Sequence, residues 1–265
     1  MTPDVEEADL ASRRTRRNMM AMGAIFGSVV LAKTTTALAC PPALCKSNCF
    51  LKGTKIRTAE GERKIEDLAI GDLLPTMFGG LRPIRWIGRY PIKRSDPSKP
   101  WVKEALPVRI ARSALAPNVP HSDLYVTGGH ALLIDGVLVP AELLINGKTI
   151  TRDQRHVREY DELEFLHVKL DSHDVIYAEG VPAETLINVQ ESAVNFADYL
   201  RRYGTAATDE EHCAPYIHVW GGRVELKSRF RSALSPWIDL RNQAELIRDR
   251  LEEGAIDLSQ ISQPA

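Results

Sequence analysis

Ala131-Leu132-Leu133-Ile134-Asp135-Gly136-Val137-Leu138-Val139 decides how the chain folds. Two apolar runs flank an Asp-Gly pair. A two-residue turn that reverses a chain so tightly needs positive φ at both positions, which Gly adopts without steric cost and Asp tolerates. The stretch therefore predicts a hairpin of two strands. The pattern repeats outward: Asn146-Gly147 separates Leu143-Leu144-Ile145 from Lys148-Thr149-Ile150, Glu60-Gly61 marks an earlier turn, and Gly79-Gly80 leads into the strand candidate Ile84-Arg85-Trp86-Ile87. From Cys49 to about residue 190 the apolar residues come in short runs between turn dipeptides, which predicts a compact, mainly β fold. Residues 89–104, centred on Lys93-Arg94-Ser95-Asp96-Pro97-Ser98, read as an exposed connection.

Composition limits what such a body does. The 265 residues hold 34 Lys plus Arg against 35 Asp plus Glu, with 44% hydrophobic residues, enough for one globular domain with appendages and too hydrophobic for disorder. A formal charge of −1 gives no concentrated positive charge for a nucleic-acid partner. Four cysteines are too few for a disulfide-built scaffold. Residues 1–39 stand apart: Arg13-Arg14-Thr15-Arg16-Arg17 precedes the uncharged run Met19–Ala32, and Ala37-Leu38-Ala39 offers a small-residue cleavage site. This is the outline of an export signal with a twin-arginine pattern, so the expected location is periplasmic or secreted. The run has 14 residues, short of the roughly 20 that a spanning helix needs, so no stable membrane span is expected once the signal is removed. Lipidation at Cys40 is the lesser alternative. At the other end, Trp237, Leu240, Ala244, Ile247 and Leu251 form one apolar stripe, predicting a helix over about 236–253 that ends near Gly254, within an extension running from 191 to 265.

Four ordered blocks point to a family. Cys49-Phe50-Leu51-Lys52-Gly53-Thr54-Lys55-Ile56, followed by Asp67-Leu68-Ala69-Ile70-Gly71-Asp72, resembles the opening of the Hedgehog/intein (Hint) superfamily. Leu81–Arg89 resembles the Trp-Ile-Gly segment of a bacterial Hint subfamily. Leu124-Tyr125-Val126-Thr127-Gly128-Gly129-His130 resembles its central Ser/Thr-x-x-His block, and His173–Thr185 its closing block. A lone Thr-x-x-His would mean little; four blocks in order over residues 49–190 make a specific signal. The resemblance implies an all-β Hint domain there, preceded by a short leader, residues 40–48.

The implied chemistry is attack by Cys49 on its own amino-side peptide bond, turning an amide into a thioester. A thiol with a pKa of about 8.5 is only a few per cent thiolate at neutral pH, so it needs a base or a positive environment. The amide nitrogen leaves only if it is protonated or its conjugation is broken. The resemblance assigns proton donation to His130 and orientation of the scissile bond to Thr127. His167 takes the place where the family has an acidic residue or Cys, with Asp171 as the alternative, and His173 matches a His of the closing block. No cofactor is expected; His167 and His173, six residues apart, need not share a face as metal ligands would.

Splicing needs a His-Asn pair at the domain's end and a nucleophile after it. Here the corresponding residues are Glu184-Thr185, and Asn188 is followed by Val189. The expectation is amino-side cleavage without splicing, with the chain's own amino-terminal segment as substrate and water or another nucleophile as acceptor. Two rivals use the same residues: a degenerate, non-cleaving Hint fold serving as a binding or structural module, and a multiple-turnover cysteine hydrolase. Cys40, Cys45, Cys49 and Cys213 allow three full pairings, and a Cys45–Cys49 disulfide would silence the nucleophile.

Overall fold

The Asp135-Gly136 hairpin forms as its sequence predicts. In the computed structural model, which describes residues 48–94, 96–155, 157–187, 189, 191, 193–204, 211–217 and 243–261, β9 (Ala131–Ile134) pairs antiparallel with β10 (Val137–Pro140). Asp135 and Gly136 sit at φ 51° and 79°, the double positive φ of a type I′ turn. Glu179-Gly180 makes a second such turn, at φ 49° and 82°, between β13 (Val175–Ala178) and β14 (Val181–Glu184). Positive φ strains a residue with a Cβ, and the Glu179 carboxylate offsets it by accepting the Lys55 N–H and the Ser122 hydroxyl, each at 2.8 Å.

The fold is mainly β. One six-stranded sheet has the order β11-β7-β8-β1-β12-β6, built from β1 (Phe50–Leu51), β6 (Trp86–Lys93), β7 (Val108–Ile110), β8 (Leu124–Val126), β11 (Ile150–Arg152) and β12 (Glu162–Lys169). A second has the order β10-β9-β14-β13-β2-β3, with β2 (Lys55–Thr58) and β3 (Gly61–Lys64) at one edge. β4 (Leu73–Thr76) and β5 (Gly80–Pro83) form a separate hairpin. The core lies among Phe50, Ile56, Leu74, Val126, Leu132, Leu166 and Ile176, all buried. β1 is two residues long yet sits mid-sheet: Phe50 faces Leu166 on one side and Val126 on the other.

Three local expectations change. The Trp86 strand is longer than its motif, because Arg89–Lys93 continue β6 along β12, with Tyr90 and Ile92 buried; the exposed connection shrinks accordingly. Leu143-Leu144-Ile145 is no strand, since Ala141–Leu144 is a 3-10 turn. The Asn146 side chain instead caps the following loop, its Oδ1 accepting the N–H groups of Lys148, Thr149 and Ile150 at 3.0–3.1 Å. Asn thus acts through its side chain here, where the dipeptide reading used only its backbone. Finally, the last helix passes through Gly254 instead of ending there.

That helix, α2 (Gln243–Ile261), buries Ile247 and Leu251 in the core, as an apolar stripe should; Trp237 and Leu240 lie outside the described residues. α1 (Phe196–Tyr203) packs Tyr199 edge-on against Trp86, ring centroids 5.3 Å apart. Gly254 is exposed, and a Cβ added there meets no atom within 4 Å. Gly254→Ala is therefore expected to stabilise the chain by about 0.5–1 kcal/mol, the propensity difference inside a helix, measurable as a raised denaturation midpoint. Among the described residues no helix is long and apolar enough to cross a membrane.

Candidate active site

Thr127-Gly128-Gly129-His130 is the turn by which the chain leaves β8 in one sheet and enters β9 in the other. His130 N–H closes it on the Thr127 carbonyl at 3.1 Å, and the His130 carbonyl in turn accepts the Ala141 N–H at 2.9 Å. Space at the turn is tight: a Cβ on Gly128 would stand 3.3 Å from both the Arg152 and Glu142 side chains, which would have to give by a few tenths of an ångström.

This turn meets Cys49. Thr127 N–H donates to the Cys49 carbonyl at 2.9 Å. The returning bond does not go to the Thr127 carbonyl; Cys49 N–H donates to Thr127 Oγ1 at 2.9 Å. That N–H belongs to the Asn48–Cys49 peptide, so the Thr127 hydroxyl holds the nitrogen of the bond in question. Thr127→Val keeps the shape and strands this buried N–H. It is expected to cost about 1–3 kcal/mol of stability and to slow any cleavage before Cys49 by about tenfold or more, read by denaturation and by mass spectrometry of thiol-treated protein.

His130 is fully buried, and burial lowers its pKa to about 3. The Asn48 backbone opposes the shift. A backbone group that favours an imidazolium is an acceptor, so this is the Asn48 carbonyl, although neither ring nitrogen of His130 reaches a hydrogen bond of normal geometry. A neutral ring thus lies beside the carbonyl of the same peptide whose N–H Thr127 holds. His167, on β12, joins it: ring centroids 4.9 Å apart, with Phe50 packed 4.2 Å from His130 and 5.7 Å from His167. Burial pushes the His167 pKa well down, and the neighbouring His130 and His173 add to it. Continuing the β1–β12 register by one residue sets Cys49 opposite His167. Cys49 itself is wholly buried and belongs with Leu51, Trp86, Tyr90 and Phe165 in a second apolar cluster.

The other candidates go elsewhere. Asp171 is half-exposed and pairs with Arg82 at 3.0 Å. His173 is near enough to act on His130 and His167, with its Nε2 3.5 Å from Glu184 Oε2 and its Nδ1 accepting the Cys213 N–H at 3.0 Å. His173, Glu184 and His212 bring ligand-type atoms within 4.8 Å of one another. An Nδ1 that accepts a backbone N–H leaves the ring proton on Nε2, however, so His173 in this tautomer has no lone pair for a cation. Burial, followed by the charge of Asp174, pushes the Cys213 thiol up to about 11, leaving it a poor nucleophile. Thr185 is buried, and its hydroxyl accepts the Asp174 N–H at 2.9 Å. Glu184 was legible only as the wrong residue for splicing; the structure shows it accepting the Ala131 N–H at 2.8 Å, next to His130. Cys40, Cys45 and Asn188 lie outside the described residues.

A family model described as the Hint domain matches residues 48–190. The chain belongs to the Hint family. Its domain is of the autoprocessing type in general. Similar solved structures of the Hint kind include the DnaB intein from Synechocystis sp. PCC 6803, at 13% identity over 53% of this chain and 100% of that one, TM-score 0.35. The MchDnaB-1 intein shares 15% identity over 52% and 99% of the two chains, TM-score 0.36. A bacterial intein-like domain from Clostridium thermocellum shares 13% over 52% and 98%, TM-score 0.36. Comparison with curated proteins finds no match.

Proposed function

We propose that this Hint domain cleaves its own chain before Cys49 through a thioester and does not splice. The observation that carries the reading is the double hold on one peptide: its N–H on Thr127 Oγ1 at 2.9 Å and its carbonyl beside His130. The Cys49 thiol attacks the Asn48 carbonyl carbon and a carbon–sulfur bond forms. The proton it gives up is relayed through the neutral His130 ring, one ring nitrogen accepting as the other donates, to the Cys49 nitrogen as the carbon–nitrogen bond breaks. Water or an added nucleophile then displaces sulfur, leaving a carboxylate or acyl adduct on Asn48 and restoring the thiol. Thr185 supports the absence of splicing: it has no side-chain amide nitrogen to cyclise, and its hydroxyl is engaged with Asp174.

A second reading, a non-cleaving module, is favoured by the position of Cys49, fully buried in an apolar cluster as a small hydrophobe would be. Hydroxylamine or a strong thiol separates the two. Release of a fragment beginning at Cys49 supports cleavage; an inert folded chain supports the module. A product joining the leader to a downstream segment would overturn the no-splicing claim, and turnover of an added protein would favour a hydrolase.

A further inference from the structure

Next to His130 a chain of polar contacts runs from Glu184 through His173 to residues 213–217, and the amino-side chemistry described above makes no use of it. Glu184 ends β14 fully buried. Its Oε1 accepts the Ala131 N–H at 2.8 Å, the peptide immediately after His130. Its Oε2 faces His173 Nε2 at 3.5 Å, and His173 Nδ1 takes the Cys213 N–H at 3.0 Å. An imidazole nitrogen that accepts an N–H carries no proton, so Cys213 directs the His173 proton to Nε2, toward the carboxylate. Cys213 is held in turn by its own segment: Leu138 N–H donates to the Pro215 carbonyl at 2.8 Å and Ile217 N–H to the Leu138 carbonyl at 3.0 Å. Leu138 lies on β10, opposite Leu133 of β9. The circuit therefore runs from the peptide after His130 through Glu184, His173 and residues 213–217 back to the hairpin that starts at His130.

We propose that Glu184 is a positioning residue for His130, oriented by His173 and by the carboxyl-side segment Glu211–Ile217. This rests on the reading that His130 acts at the Asn48–Cys49 peptide. A carboxylate is a costly group to bury, and burial does raise its pKa. An apolar residue there would pack at lower cost but leave the Ala131 N–H unsatisfied. The bond to Ala131 fixes where the His130 backbone sits, and small displacements of a reacting group have large effects on rate. The segment after the domain is then part of the site's framework, since removing the Cys213 N–H frees the His173 tautomer.

The test uses the full chain and the first-order constant for hydroxylamine cleavage before Cys49, which reports only folded molecules. Glu184→Ala is expected to lower the constant about tenfold or more. Glu184→Gln keeps a carbonyl for the Ala131 N–H but turns its NH2 toward the His173 Nε2–H, so it is expected to cleave more slowly than wild type yet faster than Glu184→Asp, which keeps the charge and withdraws the acceptor by one methylene. Cys213→Pro removes the N–H and shifts the His173 ring nitrogen resonances toward the other tautomer. An unchanged constant in Glu184→Ala, or a Gln variant as slow as the Asp one, overturns the proposal. Where Glu184→Ala does not fold, the Asp and Gln variants decide. If the wild-type chain is inert to hydroxylamine, the processing reading fails on its own. The Ala131 amide and His130 ring resonances then decide: moved in Glu184→Asp and moved less in Glu184→Gln supports the positioning role, and unmoved in both, or moved as far in Gln as in Asp, removes it.

Discussion

Hydroxylamine is expected to cut the wild-type chain before Cys49 and to leave the bond after Asn48 intact in Cys49→Ala. The effect should be complete, because among the described residues no second thiol stands in for the sulfur that bonds to the Asn48 carbonyl. Cys213 is the other thiol among the described residues; its pKa is pushed up to about 11, and its N–H is bonded to His173. The variant also retains its fold. Removing one buried sulfur costs on the order of 1 kcal/mol, and the two backbone bonds that hold residue 49 to Thr127 need no side chain at 49. Loss of cleavage with a denaturation midpoint lowered by no more than that cost therefore isolates the chemistry. A Cys49→Ala chain that still releases the same fragment would assign the cut to hydrolysis without a thioester.

Acid should destabilise the fold well before its exposed carboxylates titrate. His130 is buried as a neutral ring with its pKa at about 3, whereas in an unfolded chain a histidine titrates near 6.5. Between those values the unfolded state binds a proton that the folded state refuses. The stabilisation is fully present above about pH 6.5 and declines toward pH 3. From pH 7.5 to pH 5 this ring alone accounts for about 2 kcal/mol. His167, shifted down chiefly by burial, adds loss of the same sign. Glu184 acts oppositely: burial raises its pKa, so its protonation on acidification favours the folded state and softens the decline. Denaturant midpoints at the two pH values check the sum. Coincident midpoints would show that His130 is not held neutral in a dry site.

The sequence made the hairpins and the Cys-Thr-His constellation legible for different physical reasons. Asp135-Gly136 was readable because two positive φ values exclude most residue pairs. Glu179-Gly180 has the same geometry, but nothing in an isolated Glu announces that Lys55 and Ser122 will satisfy it. Asn146-Gly147 misled because an Asn side chain can close a loop as well as a backbone can. Cys49, Thr127 and His130 come from the resemblance of their blocks to the Hint superfamily, and sequence had no means of showing that Thr127 would bond through its hydroxyl to the Cys49 N–H. Glu184 was hidden by strand alternation. Val181 and Ala183 mark one face of β14, which suggests an outward-facing Glu184, whereas residues 211–217 and β9 cover it.

β1 carries one more consequence. Cys49 leads into a strand of two residues that is flanked by β8 and β12, and its own N–H and carbonyl are both held by Thr127, so the residue after the Asn48–Cys49 bond is fastened in place. Once that bond opens, the amine produced cannot drift from the thioester beside it. Such a pair sees an effective concentration far above any solute's, on the order of 10⁵ M or more for well-oriented partners, and amines return readily to amides. Under the proposed function the acyl shift is then a reversible rocking of one acyl group between nitrogen and sulfur. What sets the rate of release is the arrival of an outside nucleophile, and cleavage in this chain should be governed by access to a closed site more than by the reactivity of its thiol.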